Sequence, residues 1–279
     1  MKLLRSLAVA LALGTSTYAH AGNVLIVLSD SDRLDLKDGK VFKTGFYLNE
    51  LMQPVKALRE AGHKITFATP NGTVPSVDVT SIDKMYFGGD EAAVKDSEKQ
   101  LAELGLLSSD RSPVISLARV EKIGYDHFDA VYVPGGHAPM QDLLVSSELG
   151  RLLSYFHEKG KTTALACHGP IALLSTLPDA QEFVAKFETA GTATVQTDWI
   201  YAGYKLTVFS NREEEMAKGL LGGGEMKFYP QDALTKAGGE FSQADAPFDG
   251  HIVVDRELIT GQNPASAPAV AQELLSRLK

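Results

Sequence analysis

Cysteine is almost absent from this chain of 279 residues, in which Cys167 is the single thiol. No disulfide can form within the chain, and a zinc site built on several thiolates is excluded. The seven histidines show neither H-x-x-x-H nor H-E-x-x-H, the spacings that put two imidazoles on one helix face as metal ligands. No Walker A loop or dinucleotide fingerprint follows a strand. The sequence therefore predicts chemistry that needs neither a metal nor a cofactor.

Positive charge and long apolar runs are also scarce. Lys and Arg number 27 against 35 Asp and Glu, which gives a formal net charge of −8. Without a basic run, the chain is not expected to bind nucleic acid. No stretch after the N-terminus approaches the roughly 20 apolar residues that a membrane-spanning helix needs. We therefore expect neither a nucleic-acid partner nor a membrane partner.

The N-terminus is typical of a secretory signal peptide. Lys2 and Arg5 precede an apolar run over residues 7–13, and Ala19-His20-Ala21 forms an A-x-A cleavage site. The segment predicts cleavage after Ala21 and export, to the periplasm if the cell is a Gram-negative bacterium. An uncleaved anchor or a core helix is the alternative interpretation. A lone thiol in an oxidising compartment, where cysteines usually pair, then needs a functional reason.

Short apolar runs that end in turn residues alternate with helix-periodic segments through the rest of the chain. This pattern is typical of a parallel sheet covered on both faces. We predict one α/β domain over residues 22–279. The predicted strands are residues 23–30, 64–70, 129–136, 162–169 and 205–210, followed by a hairpin over residues 251–262.

The predicted helices are residues 45–61, 140–159, 170–175, 212–218, 226–236 and 266–278. Residues 71–122 fit the alternation poorly, although residues 91–104 are polar and helix-prone. We interpret this segment as an insertion that forms a lid or a dimer surface.

Cys167 lies in the segment ALACHGP, where a strand of small apolar residues runs directly into a helix that begins with Gly169-Pro170. A strand-turn-helix elbow of this kind exposes one side chain above the sheet edge, where open α/β sheets bind ligands. The helix N-terminus is expected to lower the pKa of the thiol. The alternative is a small buried hydrophobic side chain at a strand end.

A second signal is VPGGHAP, in which Gly135 and Gly136 end a strand directly before a helix. Two glycines there allow backbone N–H groups to approach an anion closely. The N–H groups of Gly136 and His168 are candidates for an oxyanion hole that stabilises an alkoxide. By itself, a strand-ending glycine pair more often marks only a tight turn.

These motifs resemble the ThiJ/PfpI superfamily, which has the flavodoxin-like, class I glutamine amidotransferase-like fold. The similarity is greatest to its branch of heat-shock chaperones and glyoxalase III enzymes. It covers nearly the whole mature chain. The segments that carry it are TGFYLNELMQP, ATPNG, DAVYVPGGHAPMQDL, ALACHGP, LTVFSNREEE and LITGQNPASA.

The resemblance implies that Cys167 is the nucleophile and His168 its general base. Glu50 corresponds to an acid that hydrogen-bonds the thiolate in its protonated form. Glu214 corresponds to the residue that orients the histidine, although a slip of one position would put Glu213 there. His137 falls in the substrate-binding part of the motif.

Three positions depart from the pattern of this branch. Ala138 replaces a common glycine, Gln53 a frequent histidine and Gln231 a frequent acidic residue. The departures affect the expected choice of substrate more than the elbow.

The leading hypothesis is a cofactor-independent enzyme on small reactive carbonyls, a glyoxalase III-type hydro-lyase that converts methylglyoxal to lactate. Deglycase chemistry and amidase or peptidase chemistry use the same nucleophile and stay open. From a different class, the chain is a holdase chaperone for unfolded proteins, with the thiol as an oxidation sensor. The resemblance further implies a homodimer.

Overall fold

The computed structural model describes residues 21–193 and 198–278. The predicted signal peptide lies outside the described residues except for Ala21, so export stays a prediction. None of the helices in the described ranges has the length and apolar content that a membrane span requires.

Seven strands form a central sheet in the order β10-β11-β7-β6-β1-β4-β5, and two pairs, β2-β3 and β8-β9, form small separate sheets. In chain order the strands are β1 Asn23–Val27, β2 Arg33–Asp35, β3 Val41–Lys43, β4 Lys64–Thr69, β5 Ile115–Ser116, β6 Ala130–Val133, β7 Thr162–Ala166, β8 Lys205–Leu206, β9 Glu240–Phe241, β10 Ile252–Asp255 and β11 Leu258–Gly261. All neighbours in the central sheet are parallel except β10 and β11, which form an antiparallel hairpin.

Helices cover both faces of this sheet. In chain order they are α1 Leu48–Glu60, α2 Glu91–Leu104, α3 Leu117–Ile123, α4 Ser147–Glu158, α5 Ala180–Ala190, α6 Asn211–Ala217, α7 Pro230–Ala237 and α8 Ala267–Ser276. One apolar core lies under α1, α2 and α8, and a larger one under α3, α4, α5 and α7. Residues of β1 alternate between the two cores, with Leu25 in one and Ile26 in the other. The predicted α/β fold class, with its mostly parallel sheet, is confirmed.

The structure differs from the prediction of a strand over residues 205–210. Only Lys205 and Leu206 pair as a strand, and they pair with β9 outside the central sheet. The position beside β7 belongs instead to β11, which the sequence placed only in a hairpin. Thr207 then bonds a side chain rather than a strand, because its N–H donates to Oγ1 of Thr260 at 2.9 Å.

Other differences concern helices. The predicted helix after the cysteine is a 3-10 helix, Gly169–Thr176, and α3 and α5 were not predicted. The predicted insertion, residues 71–122, contains α2 and a 3-10 turn, Lys84–Phe87, that contributes to the pocket over Cys167. Its role as a lid or dimer surface stays a prediction.

Candidate active site

Cys167 directly follows β7 and has a φ of 57°, a left-handed conformation that residues other than glycine rarely adopt. Backbone hydrogen bonds hold it from both sides: its N–H donates to the carbonyl of Gly261 at 2.8 Å, and its carbonyl accepts from the N–H of Phe209 at 2.9 Å. Such strain persists only where the surroundings fix the conformation, and it is concentrated at functional sites. The elbow therefore has a fixed geometry, with the side chain only 2% exposed.

Gly135 allows the close packing around the thiol. A Cβ at this position would lie 2.5 Å from Cβ of Cys167 and 2.7 Å from Oε2 of Glu50. The next glycine, Gly136, has a φ of 88°, and a Cβ there would overlap the carbonyl of Gly45. Both glycines are therefore required for the backbone after β6 to reach the cysteine.

His168 and Glu214 form a buried relay beside the thiol. Nδ1 of His168 lies 3.3 Å from Sγ of Cys167, and Nε2 lies 2.8 Å from Oε1 of Glu214. Ser210 caps α6 and so places Glu214 in the first turn of that helix. The arrangement can move a proton from the thiol to the imidazole, while the carboxylate holds the ring and stabilises its cationic form.

Glu213, the neighbour that the sequence left open as an alternative, points elsewhere. Its Oε2 accepts hydrogen bonds from Ser210, and its Oε1 accepts from the Asn263 side chain and from the N–H of Phe248, both at 2.8 Å. It fixes loops around the pocket and does not contact His168 through a hydrogen bond. The geometry thus brings Glu214, and not Glu213, to the imidazole.

Glu50 approaches the thiol from α1. Its side chain is fully buried, Oε2 accepts the N–H of Gly135 at 2.7 Å, and Oε1 has no hydrogen-bond partner among the described residues. Burial raises the pKa of Glu50 to about 8. The carboxyl therefore holds its proton at neutral pH and can act as an acid.

The pKa of the thiol is higher than we expect from the sequence. Burial raises the pKa of Cys167, the neighbouring Glu50 side chain raises it further, and the backbone N–H of Gly136 opposes both effects. The expected lowering considered only the helix N-terminus, whereas desolvation disfavours the thiolate more strongly. Cys167 therefore rests as a thiol, and the thiolate forms when His168 takes the proton.

His168 and Glu214 differ in their charge states. Burial, followed by the neighbouring His137, lowers the pKa of His168, so its imidazole is neutral and able to accept a proton. Burial alone would raise the pKa of Glu214, but its interactions with His168 and His137 are stronger and lower the pKa to about 2. A neutral base thus sits between a thiol and a carboxylate.

His137 lies against His168, with ring centroids 4.2 Å apart, and its Nδ1 is buried without a hydrogen-bond partner in the described part of the chain. Its backbone N–H donates to Oγ1 of Thr44 at 3.3 Å and is not available to an oxyanion. The backbone N–H of Gly136 acts on the sulfur, because it lowers the pKa of Cys167. The N–H of His168 has no acceptor among the described residues, so both N–H groups stay candidates for the oxyanion hole.

His137, His168 and Glu214 also form a group that could hold a metal ion, because one ligand atom from each lies within 4.8 Å of the others. This group could not be predicted from the sequence, because the three residues come from separate segments. A bound ion would occupy the nitrogen that faces Glu214 and so interrupt the relay.

The pocket above the thiol has a volume of about 770 Å³. Side chains that the sequence did not single out form much of its wall, among them Tyr86, Met216, Leu220 and Phe248. Gln53, one of the departures from the family pattern, also lines the pocket, and its Oε1 is buried and unpaired among the described residues.

The α/β fold, the strained elbow at Cys167 and the His168–Glu214 relay are the features of an α/β protein with a nucleophilic cysteine. A family profile described as ThiJ/PfpI family-like matches residues 41–199, more than half of the chain. The chain belongs to the ThiJ/PfpI family, and the resemblance seen in its motifs is confirmed.

Individual relatives match over most of the chain. Glutathione-independent glyoxalase hsp3101 of Schizosaccharomyces pombe is 29% identical over 256 residues, which cover 91% of this chain and 95% of that protein. Protein/nucleic acid deglycase HchA of Staphylococcus aureus is 27% identical over 249 residues, 88% of this chain and 75% of that protein. The crystal structure of glyoxalase III from Candida albicans superposes with a TM-score of 0.67 at 21% identity, covers 93% of this chain and 98% of its own, and shows the shared fold.

Proposed function

We propose that the chain is a cofactor-independent enzyme of the glyoxalase III type, which converts 2-oxoaldehydes such as methylglyoxal to 2-hydroxy acids such as lactate. The observation that carries the proposal is the buried relay, in which His168 lies 3.3 Å from the thiol and 2.8 Å from Glu214. The glyoxalase name of a relative at 29% identity supports the same reaction.

The first step forms a carbon–sulfur bond. His168 accepts the thiol proton as Sγ of Cys167 adds to the aldehyde carbon. The carbonyl oxygen becomes an alkoxide, which the N–H groups of Gly136 and His168 stabilise. Protonation of the alkoxide by Glu50, which is neutral at pH 7 because of its raised pKa, gives a hemithioacetal.

The second step moves hydrogen between the two carbons. A base, His168 or the Glu50 carboxylate, removes the proton from the former aldehyde carbon, and a proton is returned to the neighbouring carbon. The first carbon is thereby oxidised to a thioester and the second is reduced to an alcohol, so no external oxidant or reductant is needed. Water then cleaves the thioester, which releases the hydroxy acid and restores the thiol.

The experiment is a substrate screen of the purified mature protein, with Cys167→Ala as the blank. Methylglyoxal consumption and lactate formation are measured without glutathione, beside glutamine and aminopeptidase substrates. We expect lactate in stoichiometric yield from the wild type and none from the variant. Equal rates in both proteins would overturn the proposal.

A second candidate is removal of early glycation adducts from proteins, supported by the HchA deglycase relatives. Such an adduct also presents a carbon that a thiolate can attack. Recovery of unmodified lysine side chains in a methylglyoxal-treated peptide, at a rate beyond that of free methylglyoxal removal, would identify this activity. If release only follows the loss of free methylglyoxal, the glyoxalase reaction accounts for it.

A holdase function is the candidate from another class. Exposed apolar side chains at the mouth of the pocket favour it, with Met85 at 69% and Met216 at 60% exposed. Cys167→Ala separates the two functions, because it should abolish turnover and leave suppression of client aggregation unchanged.

We also propose export with cleavage after Ala21, on the basis of the N-terminal sequence pattern. N-terminal sequencing of the native protein should begin at Gly22. An intact Met1 would contradict this proposal.

A further inference from the structure

The pocket is much larger than methylglyoxal requires. Its volume of about 770 Å³ falls in the range of roughly 300–1,000 Å³ that encloses drug-sized ligands. Methylglyoxal is the smallest 2-oxoaldehyde that carries a ketone, and it would leave most of this space to water. The size of the cavity therefore points to a substrate with a large group beyond the ketone.

The charge of the residues that line the pocket indicates which kind of substituent can bind there. Among the described residues, its lining contains no lysine, arginine, aspartate or glutamate, and besides the thiol, His137 and His168 its polar side chains there are tyrosines, Gln53 and Asn263. A phosphate or carboxylate bound there would lose its hydration and gain no cation, which is costly. An uncharged substituent therefore fits the pocket better than a charged one.

Apolar side chains are concentrated at the entrance. Single exposed hydrophobic side chains are ordinary on a protein surface, whereas a group around one cavity marks a binding site. Met85, Met216, Leu220 and Phe248 are between 43% and 69% exposed, and all of them line this pocket. They form an apolar mouth that leads to the thiol.

Phe248 has the most constrained position among them. Its φ of 66° is a left-handed conformation, which is a real outlier for a bulky side chain. Its N–H donates to the buried carboxylate of Glu213 at 2.8 Å, which holds the strained backbone in place. Strain maintained in this way indicates that the position of the ring matters.

The ring of Phe248 is connected to the catalytic His168 through a second aromatic ring, that of Phe209. Its centroid lies 6.2 Å from that of Phe209, and Phe209 in turn stacks on His168 with centroids 4.8 Å apart. An apolar group bound between the mouth and the thiol would therefore contact aromatic rings along this side of its path.

We propose that this pocket selects 2-oxoaldehydes with a large, uncharged, apolar substituent, and that Phe248 is the residue that determines this specificity. The inference rests on the proposed function, because it names the substrate class of the same site.

The first test compares kcat/KM for methylglyoxal, phenylglyoxal and 4-carboxyphenylglyoxal, each normalised to its reaction rate with a free thiol. We expect phenylglyoxal to exceed methylglyoxal by about 10-fold or more, in line with the discrimination that an apolar pocket achieves. The carboxylated compound, which has nearly the same shape, should be poorer than phenylglyoxal by a similar factor. Equal normalised values for methylglyoxal and phenylglyoxal would overturn the inference.

The second test uses two variants that both replace a strained residue with glycine. Phe248→Gly removes the ring, and Asp38→Gly relieves a φ of 56° in an exposed turn away from the pocket. Phe248→Gly should lower kcat/KM for phenylglyoxal about 10-fold and change that for methylglyoxal less than about threefold. Asp38→Gly should change neither. An equal loss for both substrates in folded Phe248→Gly, checked by circular dichroism, would remove Phe248 as a specificity residue.

A third measurement tests binding to the pocket in the absence of turnover. Acetophenone, which has no aldehyde, should slow the alkylation of Cys167 by iodoacetamide at concentrations where acetone does not. If acetophenone protects but no 2-oxoaldehyde is consumed, the pocket preference stands and the proposed reaction is overturned. If methylglyoxal is consumed but acetophenone gives no protection, the reaction stands and this inference is overturned.

Discussion

The imidazole of His168 lies nearly flat on the ring of Phe209, with centroids 4.8 Å apart and planes inclined by 27°. The stacking limits rotation of the imidazole, so that Nδ1 stays toward Cys167 and Nε2 toward Glu214. A base held in this way loses little entropy when the thiol proton moves.

Replacement of His168 by alanine tests the relay. A positioned general base contributes typically about 100-fold or more to the rate, so His168→Ala should lower kcat for the best 2-oxoaldehyde by at least that factor. Steady-state kinetics after a circular dichroism check of the fold gives the answer. Turnover within about threefold of the wild type, less than 1 kcal/mol of barrier, would exclude His168 as the base.

Replacement of Glu213 and replacement of Glu214 should have different effects on activity and stability. Glu214→Gln keeps the shape but removes the charge that stabilises the imidazolium, so kcat should fall, and some stability should be lost as well because the folded carboxylate has a lowered pKa. Glu213→Gln weakens a buried carboxylate that accepts from Ser210, Asn263 and Phe248. Its main effect should be a loss of stability of about 1–3 kcal/mol. A larger loss of kcat in Glu213→Gln than in Glu214→Gln, at equal stability, would contradict this assignment.

Glu50 should make the protein less stable as the pH rises. Its pKa is about 8 in the folded state against 4.5 as the reference for the unfolded state. Between these values the unfolded chain binds fewer protons than the folded one, so the free energy of unfolding decreases with increasing pH.

Glu50→Gln should remove this dependence. Since each pKa unit corresponds to about 1.4 kcal/mol, the shift from 4.5 to about 8 should make the variant more stable than the wild type at pH 8 by about 4 kcal/mol, a rise in Tm of about 8–16 °C. The difference should vanish near pH 4.5. Calorimetry at the two pH values measures it, and an equal Tm difference at both would rule out a raised pKa for Glu50.

Burial of Cys167 predicts its reactivity toward iodoacetamide. Because the pKa of the folded thiol is raised, alkylation at pH 7 should be slower in the folded protein than in the urea-unfolded chain, whose thiol has a pKa of about 8.5. Rate–pH profiles of both states give the comparison. Faster labelling of the folded protein would show that the helix N-terminus and the N–H of Gly136 outweigh desolvation.

Zinc should inhibit turnover, because an ion held by His137, His168 and Glu214 would interrupt the relay between the general base and Glu214. Micromolar zinc should inhibit the wild type reversibly, with recovery after EDTA, and His137→Ala should need about 10-fold more zinc, a typical cost for loss of a group that supports a metal site. EDTA alone should leave the activity unchanged. Loss of activity on EDTA treatment would mean that the enzyme requires a metal.

The alternation of strands and helices over most of the chain and the position of the nucleophile could be predicted from the sequence because both depend on neighbours in the chain. The apolar run before Cys167 and the Gly169-Pro170 pair after it produce the elbow locally. The Gly135-Gly136 pair produces the second turn in the same way. These patterns also carry the family resemblance.

Contacts between distant segments decided the rest. Whether Glu213 or Glu214 faces the imidazole depends on the helical phase that Ser210 sets when it caps α6. The place of β11 beside β7 depends on pairing across about a hundred residues of sequence, as between Leu258 and Thr163.

The pKa values of the site residues could not be predicted from the sequence, because they too depend on contacts between distant segments. The residue that carries the thiol and the kind of turn that presents it follow from the amino-acid sequence, since bond geometry and local propensity act within a few residues. Burial of the thiol beside Glu50, the contact of His137 with His168, and the position of Phe248 at the mouth of the pocket follow from tertiary packing. Desolvation and the fields of neighbouring charges depend on every atom packed around a group, and those atoms come together only when the chain folds.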